Sequence, residues 1–352
     1  MVTIQDVARA AGVSPMTVSN VMNERGRVGP ETRAKVLDAI DALGYRVNVA
    51  ARNLRQGRTG TIGLALPELD RAYSSQLAAR IVRAGMRQGL RVVVEETGAR
   101  KENELDAIAL SRVRLYDGLI LSAVDIDTAD LERMGASSPV VLLGEKVSAP
   151  RVDHVGVPNV EGARAMLEHL AATGRRRIAV LGASVGFREN PDAAAVDAGA
   201  LRIRGAREAL QSAGSDLDPD LVIEVPEWST RAGWEATTTF LQRGQRIDAI
   251  FALIDSLAFG ALRALADAGV SVPHDVAVAG FDDVEEARFS IPSLTTVSPD
   301  HRQIAETAVR FLVERMTLGE DAGPPRDVTC DFDLVVREST SARPRHGEPQ
   351  DR

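Results

Sequence analysis

An all-α head followed by an α/β body of two parallel-sheet lobes is the fold class this sequence predicts, and three observations carry it. Residues 4–43 hold three short stretches with apolar residues at helical spacing, punctuated by glycine and proline. From Thr61 the pattern changes to short apolar runs separated by helical stretches, the alternation of βαβ units. That alternation comes in two series of about 100 residues each, which implies two similar lobes. A chain of 352 residues is long enough for two or three domains and a large core. The expected segments are a head at 1–46, a hinge helix at 47–58, a two-lobed body at 59–340 and a disordered tail at 341–352.

The head opens with IQDVARAAGVSPMTVSNVMN. Ile4, Val7, Ala8 and Ala11 recur at helical spacing and make one face apolar. Thr3 followed three residues later by Asp6 is a capping-box arrangement. Gly12 can take the left-handed conformation that closes a helix. Ser14 can cap the next helix, and Pro15 suits its first position because that N–H has no partner in any case. In that second helix Val18, Val21 and Met22 point inward, while Met16, Thr17, Asn20 and Asn23 point away. This is a helix-turn-helix pattern, whose second helix can enter a DNA major groove. A third helix starts at Pro30 and stops at Gly44, with Val36, Leu37, Ile40 and Leu43 as its expected inward stripe.

The hinge, NVAARNLRQG, spans about two turns between Asn48 and Gly57. Helices that short are marginal in water, so it orders only when something holds it. Arg52 and Arg55, placed directly after a DNA-binding head, suggest that DNA is what holds it.

In the body, the runs beginning at Thr61, Arg91, Asp117 and Pro139 read as the buried parallel strands of one lobe. Those beginning at Arg177, Leu221, Asp248 and Asp275 read as the strands of a second. Ligands of open α/β sheets sit beyond the carboxyl ends of the strands, so the expected site is a cleft between the lobes. The tail STSARPRHGEPQDR is polar and rich in charge and proline, and carries no apolar heptads.

Charge is distributed unevenly. The net charge is −8, yet residues 1–58 hold nine basic and five acidic side chains against 33 and 45 in the rest. A basic head on an acidic body concentrates the phosphate-attracting field in one place. No run of about 18 apolar residues is present, so no membrane helix is expected. The N-terminus has no basic-then-apolar signal, and a cytoplasmic location is expected. One cysteine, Cys330, excludes an intrachain disulfide, and no metal-ligand spacing or cofactor motif is found. The G-x-S-x-G elbow, the P-loop and the strand-following G-x-G-x-x-G are all missing, which argues against an α/β enzyme. His154, His169, His274 and His301 are scattered beside polar residues and read as surface histidines. A solute-binding protein without DNA binding is the other rival, and the basic head argues against it.

Head, hinge and body together resemble the LacI/GalR family of bacterial transcription regulators over about residues 2–340. The strongest part is TIQDVARAAGVSPMTVSNVMN, followed by VGPETRAKVLDAIDALGY and AARNLRQGRTGTIGL. Weaker echoes are YDGLIL, RIAVLG, RIRGAREAL, GALRALADAGVSVPHDVAVAGFDD and PSLTTVSPD. The resemblance implies a periplasmic-binding-protein-like body, a homodimer on a near-palindromic operator, and a small effector in the cleft. A repressor of carbohydrate genes controlled by a sugar is the expected function.

The resemblance also assigns residues. Pro15, Met16 and Asn20 are placed to read bases; Asn20 can pair with an adenine edge and Met16 can pack on a thymine methyl. Thr3, Thr17, Ser19, Asn23 and Tyr45 are placed for phosphates, which fix register. Leu54 matches the hinge leucine that wedges into the minor groove, with Arg55 beside it. In the body Trp228 matches a pocket aromatic, Asp282 an effector-binding acid and Arg202 an effector-binding arginine, and Tyr73 lies where the family lines its cleft.

The chain also departs from the family. Ile254-Asp255 stands where Asn-Asp is common, which leaves Asp255 as an expected helix cap. Pro158-Asn159 replaces Asp-Asn. The segment SVGFRENPDAAAVDAGA before Arg202 is longer than usual, and Arg188 within it is a candidate second ligand.

Overall fold

The structure is a computed structural model. It describes residues 2–22, 26–45, 58–112, 115–127, 129–131, 139–145, 152–189 and 197–341. The expectations on Asn23, on the hinge with Leu54 and Arg55, and on the tail beyond residue 341 lie outside the described residues. The chain divides into two compact units, Met1–Thr59 and Gly60–Arg352.

The first unit holds α1 (Ile4–Ala11), α2 (Pro15–Met22) and α3 (Pro30–Leu43). The capping box forms at the start of α1: the Asp6 amide donates to Thr3 Oγ1 and the Asp6 carboxylate accepts from the Thr3 amide at 3.0 Å. Gly12, at φ 66°, turns the chain into α2, where the Ser14 hydroxyl accepts from the Thr17 amide. Val7, Ala8, Val18, Val21, Val36 and Ala39 form the core. The expected stripe of α3 is partly wrong. Val36 and Ala39 are buried, but Leu37 is 46% exposed and Leu43 37%. One residue along a helix is a rotation of about 100°, so Leu37 cannot share a face with Val36 and Ala39 at this helix's tilt.

The second unit holds two six-stranded sheets. The strands of the first are β1 (Thr61–Leu66), β2 (Arg91–Glu96), β3 (Leu119–Ser122), β4 (Val140–Leu143), β5 (Asp153–Gly156) and β11 (Asp327–Thr329), in spatial order β11-β5-β4-β3-β1-β2, all parallel. Those of the second are β6 (Ile178–Ser184), β7 (Val222–Val225), β8 (Ala249–Ala252), β9 (Ala277–Phe281), β10 (Thr295–Pro299) and β12 (Phe332–Val335), in order β12-β10-β9-β8-β6-β7. Here β12 pairs antiparallel, so the expectation of wholly parallel sheets fails at one edge. Alternate residues enter opposite cores: Ile178 and Val180 face one side of the second sheet, Ala179 and Leu181 the other.

Eight helices are described around these sheets: α4 (Ala72–Arg87), α5 (Lys101–Arg112), α6 (Asn159–Ala172), α7 (Ala198–Ser212), α8 (Thr230–Gln242), α9 (Asp255–Asp267), α10 (Glu285–Phe289) and α11 (His301–Leu318). The lobes are not two consecutive halves. After β5 the chain enters the second lobe, after β10 it returns so that α11 packs on the first, and after β11 it crosses again to β12. Ile304, Ala305, Ala308 and Leu312 of α11 bury into the core of the first lobe. Three crossings tie the lobes together and bring residues near 157, 300 and 330 to their junction.

Candidate functional site

The second lobe builds its part of the site at the carboxyl ends of its strands. In β6 the register against β7 shifts between Leu181 and Ala183. Gly182 sits there at φ 126°, where a Cβ would come within 2.8 Å of Leu257. Only glycine fits that bulge comfortably, and it turns the Gly182 carbonyl toward Trp228, whose Nε1–H donates to it at 2.8 Å. Phe281 ends β9, and Asp282 follows at φ 114° with Asp283 at φ 50°. Two successive non-glycine residues in this region cost on the order of 1–3 kcal/mol each. The turn is pinned from beneath by Asp255, whose carboxylate accepts from the Val284 amide at 3.0 Å and the Thr296 hydroxyl at 2.6 Å.

Arg202, on α7, is the centre of the arrangement and is 4% exposed. Its guanidinium lies 3.7 Å from the Phe281 ring centroid and 5.6 Å from that of Trp228. Nε donates to Asn159 Oδ1 at 2.7 Å, Nη1 donates to the Leu253 carbonyl, and Nη2 stands 3.4 Å from the Asp282 carboxylate. Asp282 is also 4% exposed. Burial pushes its carboxyl up to about 7, against the pull of the Arg202 guanidinium and with the push of Glu145. Burial, reinforced by the charge of Asp282, raises Asp255 well above the usual carboxylate range.

The first lobe contributes from the opposite side. Glu145 follows β4 and accepts from Asn159 Nδ2 at 2.9 Å, so one amide links it to Arg202. His301, first residue of α11, donates Nε2–H to the Asp282 carbonyl at 2.5 Å. Tyr73, on α4, packs edge-on against His301 with ring centroids 5.5 Å apart. Burial holds the Tyr73 hydroxyl above its usual range and His301 below, so the imidazole is neutral at pH 7.

Tyr73, Arg202, Trp228 and Asp282 are therefore brought to one place, at the ends of strands from both sheets. Three expectations change. Arg188 pairs with Asp220 at 2.9 Å, and its amide donates to Glu224 on the edge strand β7, so its charge is held by the protein itself. Asp255 is not a cap: Ile254 holds the cap position, and Asp255 is the first helical residue with a fully buried carboxylate. His301 is not a surface histidine but a buried member of the site. Sequence reasoning also missed Glu145, Phe281 and the bridging role of Asn159. Glu145 had a usable signal, since it comes two residues after a predicted strand, at the end where ligands bind.

On the head, Met16 is 69% exposed and Pro15 is exposed, while Thr17, Ser19 and Asn20 are half-buried on the same short helix. The Thr3 hydroxyl donates to Asp6 at 2.7 Å, and Thr17 shares its hydroxyl with Ser14 at 2.9 Å. Tyr45 packs against the edge of the head core.

A helix-turn-helix head and a two-lobed α/β body with a polar ligand site define a DNA-binding regulator with an effector-binding domain. The chain belongs to the LacI family of bacterial regulatory proteins. Residues 3–48 match the family model described as bacterial regulatory proteins, lacI family, and residues 167–340 match a periplasmic binding protein-like domain. It is 33% identical to the HTH-type transcriptional regulator CelR of Thermobifida fusca over 348 residues, covering 96% of this chain and 98% of that one. A LacI-family regulator from Sanguibacter keddieii is 44% identical, with a TM-score of 0.73 over 81% of this chain and 100% of the other. The lac repressor dimer bound to operator and an anti-inducer has a TM-score of 0.80 at 28% identity, over 97% and 99% of the two chains. No helix among the described residues is long and apolar enough to cross a membrane.

Proposed function

We propose that this LacI-family transcriptional regulator is a repressor that binds a near-palindromic operator as a homodimer, and that a carbohydrate held between its lobes changes that affinity. The observation that carries the reading is the buried network around Arg202: a carboxylate, an amide and two aromatic faces converge beyond the ends of strands from both lobes. Carboxylates and amides hold adjacent hydroxyls, and flat aromatic faces stack on sugar rings, so a polyol fits this chemistry. A solved complex of CelR with cellobiose and the operator-bound lac repressor dimer give the reading its family context.

In this reading Tyr73, Arg202, Trp228 and Asp282 bind the effector. Met16 and Asn20, with Pro15, read bases in the major groove. Thr3, Thr17, Ser19, Asn23 and Tyr45 hold phosphates, while Leu54 wedges the central step beside Arg55. The protein acts by binding, without turnover, in the cytoplasm. The effector shifts a population between DNA-competent and DNA-incompetent dimers. Two measurements test this. Selection from random duplex DNA should return a near-palindromic site, and a thermal-shift screen over sugars should find a stabilising ligand. Failure to enrich any sequence would leave only the body's binding activity.

A further inference from the structure

We propose that Glu145 is a specificity-determining residue of the effector cleft, selecting neutral or amine-bearing sugars over sugar acids and sugar phosphates. The inference rests on the reading that the cleft takes a carbohydrate, and it follows from how the buried Arg202 guanidinium is spent. Arg202 is the group an acidic effector would seek, yet all three of its guanidinium nitrogens are engaged by the protein: Nε by Asn159, Nη1 by the Leu253 carbonyl and Nη2 by Asp282. One face of the ion is covered by Phe281 at 3.7 Å. An incoming carboxylate or phosphate would compete with Asp282 for that cation, and the buried Asp282 carboxyl would then lose its partner or take up a proton, either at a cost.

Glu145 turns this neutrality into a preference. It is half-buried, it accepts from Asn159 Nδ2 at 2.9 Å, and among the described residues it forms no ion pair with a cation. The Asn159 amide donates to Glu145 and accepts from Arg202, so it fixes Glu145 beside the Arg202–Asp282 pair without neutralising it. The hydrogen-bonded chain Glu145–Asn159–Arg202–Asp282 thus carries two carboxylates and one guanidinium. Beside the two N–H groups that Arg202 has left over from Asn159, Leu253 and Asp282, the open acceptors here are carboxylate oxygens. A ligand satisfies them with hydroxyl or ammonium donors, while a negative group meets like charge at short range. Asp283 adds nothing to this balance, because Arg337 pairs with it at 2.6 Å.

The test is a calorimetric and thermal-shift panel on the full-length protein. Glucose and galactose are each offered in neutral form, as the 2-amino sugar, as the uronic acid and as the 6-phosphate. The wild type is expected to bind neutral or amino members and to reject the acidic ones. Glu145→Gln, nearly isosteric, should narrow the neutral-over-acid discrimination on the order of tenfold, the effect of one partly screened charge. Glu145→Asp, which keeps the charge, should preserve its sign. Acidic members binding the wild type as tightly as their neutral counterparts would overturn the proposal. Unchanged discrimination in a folded Glu145→Gln would also overturn it. Silence from every member would instead count against the carbohydrate reading beneath it, and the proposal would fall with that reading.

Discussion

The ring of His301, on a helix packed into the first lobe, donates its Nε2–H to the backbone carbonyl of Asp282 in the second lobe at 2.5 Å. The side chain of the same Asp282 faces Arg202. One residue therefore answers to both lobes, through its carbonyl and through its carboxylate. A ligand that draws the carboxylate aside also pulls on a strained turn whose other end is held by α11. That is a physical route from ligand to lobe angle.

Removing the donor tests how much this junction holds. His301→Leu leaves the Asp282 carbonyl buried without its partner, and the loss should be about 1–3 kcal/mol. Urea unfolding of wild type and variant measures it. A change near zero would mean that the bond spans the lobes without holding them.

A second buried cluster makes a stability prediction away from the cleft. Asp153 accepts from Arg315 at 2.9 and 3.0 Å and from Arg326 at 2.9 and 3.1 Å. Burial raises its carboxyl, but the hydrogen bonds from Arg326 and Arg315 outweigh that and hold it well below the usual range. A depressed carboxyl stabilises the fold above its unfolded value, near 3.8, and the gain fades as pH falls toward its folded value. Asp153→Asn should therefore cost about 3–5 kcal/mol at pH 7, because the buried carboxylate that Arg315 and Arg326 share is lost. The difference from wild type should shrink below about pH 4. Denaturant midpoints across pH 3–7 give the comparison, and a constant gap would contradict the ion-pair account.

Asp282 behaves in the opposite sense. Its carboxyl is raised to about 7, chiefly by burial, so the free protein loses stability as pH rises from about 4 through 7 while the unfolded chain is already ionised. A sugar that donates hydroxyls to the carboxylate binds the ionised form and expels a proton. Effector affinity should fall by up to about tenfold per pH unit below 7. Calorimetry at pH 6 and 8, in buffers of different ionisation heat, reads both the affinity and the proton. Equal affinity at the two pH values would place the sugar elsewhere than on Asp282.

Much of this is legible in the sequence, for local reasons. Caps and turns are written in single residues, so the roles of Thr3, Asp6, Gly12 and Ser14 follow from their identity and spacing alone, and all four take those roles. Buried strands announce themselves as apolar runs, and each predicted strand is present within a few residues. Strands β5, β10, β11 and β12 are short or carry polar residues such as His154, Thr295, Thr296 and Asp333, and they give no such signal. With them go the three crossings, and so the reason that His301 faces Asp282. Asp255 misleads because an acid at a helix start is usually a cap. Only the distant Thr296 and Val284 show that its carboxylate points inward. The position of Asn159 stands out in the sequence, but its bridge between Glu145 and Arg202 depends on elements far apart in the chain.

On the head, Asn20 lies on the outward side of a helix whose Val18 and Val21 are fully buried. Asn20→Ala should cost about 1–3 kcal/mol at one base pair per half-site and relax the preference there. Binding measured over all single-base variants of the selected operator shows it. A uniform loss across every variant would make Asn20 a phosphate contact instead.

The coupling between cleft and DNA is most directly tested by operator affinity, measured by fluorescence anisotropy with and without the stabilising sugar, for wild type and Asp282→Asn. The sugar should change wild-type affinity by about 5–150-fold, the usual range of allosteric coupling. Asp282→Asn should bind the operator as the wild type does without sugar, and should not respond to it. A sugar that binds the wild-type cleft yet leaves operator affinity unchanged would contradict the account.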